Sequence, residues 1–134
     1  MRKEPIPSDI ILNFIETVWN ANNPDAADHF LTPAYRDHAY NGGDANALKG
    51  VIRELGAAFP DQRQVIEDLV AADDRVMARI RLQATHTGTF RGLAPTGRAV
   101  DVRVARWFRI ADGRIAEHWA LLDTSGLMRQ LQPQ

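Results

Sequence analysis

The sequence predicts an α+β domain in which N-terminal helices pack on one face of a strongly curved, mostly antiparallel sheet. Up to Pro60, apolar residues recur every three or four positions, which is typical of amphipathic helices. From Val65 onward they alternate with polar residues, which is typical of strands. Helices that precede a run of strands indicate an α+β arrangement. The chain of 134 residues fits a single domain, 1–134.

Three helical segments and one short strand are expected before Pro60. The first helix covers about 8–21 and presents an apolar stripe. A second, short helix starts at Asn23-Pro24 and ends near Leu31, because proline suits the first helical position. A strand over 35–40 leads to a third helix, which Asp44 caps and which ends near Ala58.

The rest of the chain is predicted to form four strands and a short C-terminal helix or tail. Alternation places the strands at 65–71, 75–89, 100–110 and 114–123, and the tail at 126–131. Consecutive strands joined by short turns pair in an antiparallel way.

The last two strands are joined by Asp112-Gly113, which favours a type I′ hairpin turn. That turn places Ile110 opposite Ile115, and uninterrupted alternation extends the register along both strands. The further pairs predicted in this way are Phe108 with Glu117, Arg106 with Trp119, Val104 with Leu121, and Val102 with Asp123.

This register places Arg106, Glu117 and Asp123 on a face that is otherwise apolar. Ionisable groups in such surroundings are either paired or line a cavity. A partly buried ion pair between Arg106 and Glu117 is the favoured interpretation, and contact of Arg106 with an anionic or carbonyl-bearing ligand is the other. The opposite face is also rather apolar, so we expect a second copy to cover it in a homodimer. Its members are Ala105, Trp107, Ala116, His118, Ala120 and Leu122.

Two residues are candidates for catalysis. Asp123 is either a general acid/base in the pocket or the N-cap of the following helix. His86 alternates with inward residues and is either a core histidine or a proton-transfer group. His38 and Tyr40 share a face and are candidate substrate-binding residues. The expected pocket walls are Trp19, Phe59, Arg106 and Trp119.

Composition and motifs exclude several classes of function. The net charge of −1 gives no basic excess for nucleic acid or a membrane surface, and no cysteine is present. The four histidines lack metal-ligand spacing, and phosphate-loop and dinucleotide motifs are absent, so neither a metal nor a cofactor is expected. Without an apolar run as long as a signal peptide or membrane span, a cytoplasmic location is expected.

Six stretches of the chain share the order and composition of a known family, at 58–61, 84–92, 95–98, 108–115, 117–123 and 126–131. Together they resemble the SnoaL-like polyketide cyclases. The resemblance implies a nuclear transport factor 2-like fold, which is a cone of curved sheet closed by helices around a deep pocket and usually dimeric. It also implies an intramolecular aldol condensation of a polyketide methyl ester without metal or cofactor. Asp123 matches the family's acid/base aspartate, and His86 and His38 match recurrent polar positions.

The sequence therefore supports a cyclase or isomerase that acts on a small hydrophobic carbonyl compound. Two alternatives stay open at this point. One is an epoxide hydrolase using Arg106 and Asp123, although the second aspartate that such a site needs is missing because alternation places Asp101 on the opposite face. The other is a non-catalytic dimeric module that binds a hydrophobic ligand.

Overall fold

The computed structural model describes residues 5–40 and 42–133. The helices within these ranges are α1 (Pro7–Phe14), its π-helical continuation Ile15–Asn20, a 3₁₀ helix Pro24–His29, α2 (Ala45–Ala58) and α3 (Thr124–Leu131). The strands are β1 (Leu31–Asp37), β2 (Arg63–Ala72), β3 (Arg75–Thr85), β4 (Ala99–Ala111) and β5 (Arg114–Leu122). The predicted elements are all found, although β1 begins earlier and β3 ends earlier than the sequence pattern indicates.

The strands form one curved sheet in the order β1-β5-β4-β3-β2. All neighbouring pairs are antiparallel except β1 and β5, which run parallel at one edge. Pro33 lies within β1, where an edge strand tolerates a residue without an N–H group. The predicted α+β class with a mostly antiparallel sheet is confirmed. No helix among the described residues is long and apolar enough to span a membrane.

The main core lies between the N-terminal helices and the concave face of the sheet. Ile11, Phe14 and Val18 follow the predicted helical stripe and are almost completely buried. They pack against Ile80 of β3 and Phe108 of β4 within one apolar cluster. Helix residues spaced three or four positions apart thus pack on alternate strand residues in one core.

Helix α2 begins where the sequence predicts. The Asp44 carboxylate accepts a hydrogen bond from the backbone N–H of Ala47 at 3.1 Å, which satisfies one of the free donors of the first turn. Leu48 and Ile52 are buried on the inner face of the helix, one turn apart. The helix therefore lies across the open side of the sheet.

The β4–β5 hairpin has the predicted turn. Asp112 and Gly113 have φ angles of 53° and 73°, as a type I′ turn requires, and Ile110 pairs with Ile115.

Beyond that pair, the predicted register is wrong. Arg109 pairs with Glu117, so Ala116 is an extra residue on β5 and forms a β-bulge. Since side chains alternate with a period of two, one extra residue reverses the facing of every later residue. The observed pairs are Phe108 with His118, Trp107 with Trp119, Arg106 with Ala120, Ala105 with Leu121, and Val104 with Leu122.

Candidate functional site

A cavity of about 330 Å³ lies between α2 and the concave face of the sheet. A volume of this size is at the lower end of the range for small-molecule pockets. The wall combines apolar side chains with a few polar ones. Its lining residues are Tyr40, Val51, Glu54, Leu55, Leu82, Phe90, Arg91, Val104, Arg106 and Leu122.

Arg106 is the central polar residue of this cavity, and its side chain is only 1% exposed. Its Nε donates to the Gln64 side-chain oxygen at 3.0 Å, and its Nη1 donates to the Tyr40 hydroxyl at 2.8 Å. Below it, the guanidinium carbon lies 4.0 Å from the centre of the Trp19 ring, which is a favourable cation–π geometry. These contacts fix the guanidinium plane while Arg106 faces the cavity.

A buried pair, Asp37 and His118, lies behind Arg106. The two residues are paired across the parallel β1–β5 ladder, and His118 Nδ1 is 3.4 Å from Asp37 Oδ2. His118 Nε2 is 3.4 Å from Arg106 Nη1. The Tyr35 hydroxyl donates to Asp37 Oδ2 at 2.9 Å, so the polar cluster extends from the cavity into the core.

The electrostatics of the pair follow from burial and hydrogen bonding. Burial lowers the pKa of His118 below its usual value near 6.5, against the opposing effect of Asp37. Burial by itself would raise the pKa of Asp37, but hydrogen bonds from His118, Ala39 and Tyr35 outweigh burial and lower it. Burial and the neighbouring Asp37 raise the pKa of Tyr35. Near neutral pH the cluster therefore contains a carboxylate, a neutral imidazole and a neutral phenol.

Two residues in the loops around the cavity have positive φ angles. Tyr40 has φ of 56° and Arg91 has φ of 47°, and both line the cavity. Residues with a Cβ adopt this region at a cost of roughly 1 kcal/mol or more. The tertiary contacts of Tyr40, including its bond to Arg106, offset that cost.

Glu54 supplies the one carboxylate among the described residues that line the cavity. It projects from α2 next to Leu55 and Val51, opposite the sheet that carries Arg106. The cavity thus has a carboxylate on its helix wall and a cation with a phenol hydroxyl on the other side.

Asp123, predicted as the catalytic acid/base, lies outside this site. It is exposed, and its carboxylate accepts from the backbone N–H of Gly126 at 2.9 Å as the N-cap of α3. Because the bulge reverses β5 and the strand ends at Leu122, Asp123 does not project into the cavity. The capping interpretation is the one the geometry supports.

His38 and Trp119, predicted as pocket residues, lie on the outer face instead. Their rings stack with centroids 4.9 Å apart, and Trp119 stacks on Trp107. Glu117 is also outside, where it binds Arg109 at 2.6 Å and His38 at 2.7 Å. The predicted ion pair between Arg106 and Glu117 is therefore wrong, again because of the bulge.

His86 and Phe59 are buried, as predicted, but neither is among the residues that line the cavity. Phe59 belongs to a second apolar cluster, which also contains Leu82 and Leu127. His86 Nδ1 accepts from the backbone N–H of Thr96 at 3.2 Å, and its ring packs on Phe59 with centroids 5.4 Å apart. This geometry fits a core histidine. Tyr40 and Arg106 line the cavity. Trp19, predicted as a pocket wall, is not among the lining residues, but its ring lies against the Arg106 guanidinium.

The epoxide-hydrolase alternative required a second inward aspartate. Asp101 instead pairs with Arg81 and Arg103 on the outer face. Within the described ranges, no cluster of three or more His, Cys, Asp or Glu is placed to hold a metal ion.

Sequence reasoning missed Asp37, His118 and Glu54. The sequence contains one signal for the inward position of His118, which is the quality of the cross-strand pairs that each possible β4–β5 register would form. The bulged register pairs Arg109 with Glu117 and Trp107 with Trp119, which are favourable charge and aromatic pairs, whereas the regular register opposes Phe108 to Glu117.

Comparisons with known proteins agree with this architecture. The chain is 28% identical to the nogalonic acid methyl ester cyclase of Streptomyces nogalater over 123 residues, covering 86% of this chain and 90% of that protein. It is 25% identical to the aklanonic acid methyl ester cyclase DnrD of Streptomyces peucetius, covering 92% and 88% of the two chains.

Solved structures show the same fold. TsrD of Streptomyces laurentii superimposes with a TM-score of 0.83 at 29% identity, covering 92% of each chain. IdmH of Streptomyces antibioticus gives 0.86 at 28% identity, covering 95% of this chain and 99% of the other. The family model described as SnoaL-like polyketide cyclase matches residues 9–131. The chain therefore belongs to the SnoaL-like polyketide cyclase family.

Proposed function

We propose that the protein is an enzyme that carries out acid/base chemistry, without a cofactor, on a small hydrophobic carbonyl compound bound in the cavity. The observation that carries this proposal is a buried guanidinium, that of Arg106, held at the cavity wall next to the Tyr40 hydroxyl. The names of the relatives support a ketone of polyketide type as the substrate.

Arg106 and Tyr40 would bind the oxygen of the reacting carbonyl. Removal of a proton next to a carbonyl places negative charge on that oxygen, and donors fixed in advance stabilise the charge without reorganising. Nε and Nη1 of Arg106 are occupied by Gln64 and Tyr40, whereas Nη2 has no hydrogen-bond partner among the described residues. The Nη2 edge and the Tyr40 O–H proton are the donors that can turn to a ligand.

Glu54 would act as the general base. Its carboxylate takes the proton from the carbon next to the carbonyl, and the enolate forms on the oxygen held by Arg106. In ring closure, the enolate carbon bonds to a second carbonyl carbon of the same molecule, and the resulting alkoxide recovers the proton from Glu54. In isomerisation, the proton returns to a different carbon. A positioned base of this kind contributes roughly 10²–10⁴-fold to the rate.

The rest of the wall supports a hydrophobic substrate. Leu55 and Phe90 face Leu82, Val104 and Leu122 around the cavity, and such a lining favours binding of an apolar body while it limits the access of water. A single-ring or two-ring compound is a better match to about 330 Å³ than an extended polyketide.

Proton exchange tests the proposal before the natural substrate is identified. Cyclic and aromatic ketones are incubated with the protein in D₂O, and deuterium incorporation next to the carbonyl is followed by NMR; nogalonic and aklanonic acid methyl esters are assayed for cyclised product of unchanged mass. We expect Glu54→Gln to lower exchange by about 100-fold or more.

Asp123→Asn is the matched control, since it removes an exposed carboxylate outside the cavity and asparagine also caps helices well. We expect this variant to keep full activity. Equal exchange by the Glu54→Gln variant and the unsubstituted protein would remove Glu54 from the mechanism. Ligand binding without exchange or cyclisation would favour a non-catalytic binding module.

A further inference from the structure

The Asp37–His118 pair is not used by the proton transfer proposed above, although it contacts the central arginine. Both side chains are almost completely buried, at 4% and 1% exposure. They come from β1 and β5, which pair in parallel at the sheet edge. The chain thus places a carboxylate and an imidazole in the core, where each is costly unless it is bonded.

The direction of the hydrogen bonds follows from the donors around Asp37. Its carboxylate accepts from the backbone N–H of Ala39 at 2.8 Å and from the Tyr35 hydroxyl at 2.9 Å. His118 Nδ1, at 3.4 Å, then carries its hydrogen towards the same carboxylate. A neutral imidazole protonated on Nδ1 presents a lone pair at Nε2, and this lone pair faces Arg106 Nη1 at 3.4 Å.

The charges around Arg106 support the same directions of hydrogen bonding. The contacts of Arg106 are an amide oxygen, a phenol, an imidazole and an indole ring, all of them neutral. No carboxylate forms a salt bridge with Arg106 in the part of the chain that the structure describes. Asp37 is a buried anion separated from Arg106 by one imidazole, and a buried cation needs such compensation.

We propose that Asp37 and His118 are positioning residues that hold the Arg106 guanidinium in the orientation in which it binds the substrate's oxygen. His118 accepts from Arg106 and is itself oriented by Asp37, which also supplies the counter-charge. Phe108 stacks on the His118 ring, with centroids 4.9 Å apart, and fixes its plane. The catalytic part of this inference rests on the proposed function, but the anion-binding part does not.

The arrangement has a consequence for the pH dependence of ligand binding. A protonated His118 would direct an N–H at the N–H of Arg106 and add a second positive charge beside it. The other ionisable groups near His118 are Asp37 and Tyr35 on β1, Arg106 on β4, and His38 and Tyr40 in the loop after β1. Asp37 stays ionised above its lowered pKa. Protonation of His118, which burial shifts to lower pH, is therefore the change that would remove the acceptor facing Arg106.

Two substitutions at His118 separate hydrogen bonding from packing. His118→Gln keeps a donor for Asp37 and an acceptor for Arg106 but cannot titrate in this range. His118→Phe keeps an aromatic ring on Phe108 but loses both hydrogen bonds. Asp37→Asn keeps an acceptor and removes the charge. Circular dichroism and thermal unfolding establish that each variant is folded.

The probe is 2-naphthoate, a flat hydrophobic carboxylate that imitates an enolate, and its affinity is measured by calorimetry from pH 5 to 8. We expect the unsubstituted protein to bind the probe more weakly as the pH falls, and the His118→Gln variant to bind it with little pH dependence. At pH 7, the His118→Phe and Asp37→Asn variants should bind it at least about 10-fold more weakly than the unsubstituted protein. In turnover, a misplaced Arg106 should lower kcat by about 100-fold in the His118→Phe variant, with partial rescue in the His118→Gln variant.

The inference is overturned if the His118→Phe variant binds the probe as tightly as the unsubstituted protein, or if the unsubstituted protein does not bind the probe. It is also overturned if the His118→Gln variant shows the same acidic loss of binding as the unsubstituted protein. If the His118→Phe variant does not fold, the pH dependence of the His118→Gln variant decides the matter. Normal probe behaviour without any turnover would contradict the proposed enzyme activity and leave the anion-positioning role supported.

Discussion

The arginines on the two faces of the β4–β5 hairpin have opposite surroundings. On the outer face, Arg109 meets Glu117 directly at 2.6 Å, and both side chains are partly exposed. On the inner face, Arg106 is almost completely buried, and its contacts among the described residues are all neutral. The outer pair is satisfied within the chain, whereas the inner cation lines the cavity.

The bulge at Ala116 determines which residues of β5 belong to the site. With the bulge, His118 joins Arg106 inside, and Glu117 and Trp119 lie outside. Without it, Glu117 would lie on the same face as Arg106 and neutralise it directly. The extra residue therefore keeps a carboxylate away from the arginine that binds the ligand.

Deletion of Ala116 should have the largest effect on the arrangement of the two faces. A regular register would force Glu117 into the core and expose His118, so we expect unfolding to become easier by roughly 5 kcal/mol or more, with loss of cooperative folding. Chemical denaturation followed by circular dichroism measures the change. Ala116→Gly, which keeps the extra residue, serves as the control; a deletion variant as stable as this control would contradict the role assigned to the bulge.

Substitution of the two arginines compares the faces directly. Arg106→Met should lower deuterium exchange and cyclisation by about 10²–10³-fold, because the fixed donor for the developing oxyanion is lost. Arg109→Met removes a surface ion pair worth about 0–1 kcal/mol and should leave the rate within a few-fold. Similar rates for the two variants would show that the inner arginine has no special role.

The outer face also carries apolar side chains, and we propose that a second copy of the chain covers it. Leu121 is 70% exposed and Met77 is 50% exposed, near the stacked Trp107 and Trp119. Cations and carboxylates alternate around them, so two copies related by a two-fold axis can pair opposite charges.

Leu121→Glu should weaken that dimer by at least about tenfold, since it places a charge in a buried apolar contact. Sedimentation equilibrium measures the dissociation constant. Leu12→Glu, at an exposed leucine of α1 away from the sheet face, is the matched control. A monomeric unsubstituted protein at micromolar concentration would contradict the proposed dimer.

The buried histidine should make stability depend on pH, with the smallest of these effects. Unfolded His118 takes up a proton near pH 6.5, but the folded protein takes it up only at lower pH because burial lowers the pKa of His118. The free energy of unfolding should therefore fall as the pH drops below about 6.5, by about 1.4 kcal/mol for each pKa unit between the two states.

Asp37 adds a separate loss only in more acidic solution, because its pKa is lowered in the folded protein and its stabilisation disappears as it is protonated. The His118→Phe variant should lack the first decrease, and His29→Gln, at an exposed histidine, should retain it. Urea denaturation at pH 5, 6, 7 and 8 distinguishes the variants; an unchanged slope in the His118→Phe variant would show that another group is responsible.

The helices, the strands and the inward direction of Arg106 follow from local patterns in the sequence. The Asp44 cap, the apolar stripes of α1 and α2, and the Asp112-Gly113 turn are local signals, and each is found where it was predicted. Arg106 lies on β4, whose alternation is not interrupted, so its buried position followed from period two alone.

Which residues of β5 lie on the same face as Arg106 depends on the pairing of the folded strands. Alternation with a period of two does not reveal where an extra residue is inserted into a strand. The bulged register is supported by cross-strand pairs with β4, such as Arg109 with Glu117 and Trp107 with Trp119. Asp37 reaches His118 through parallel pairing of strands far apart in the chain, and Glu54 reaches the cavity because α2 packs across the sheet. These contacts depend on the packing of distant segments, which no local pattern in the sequence specifies.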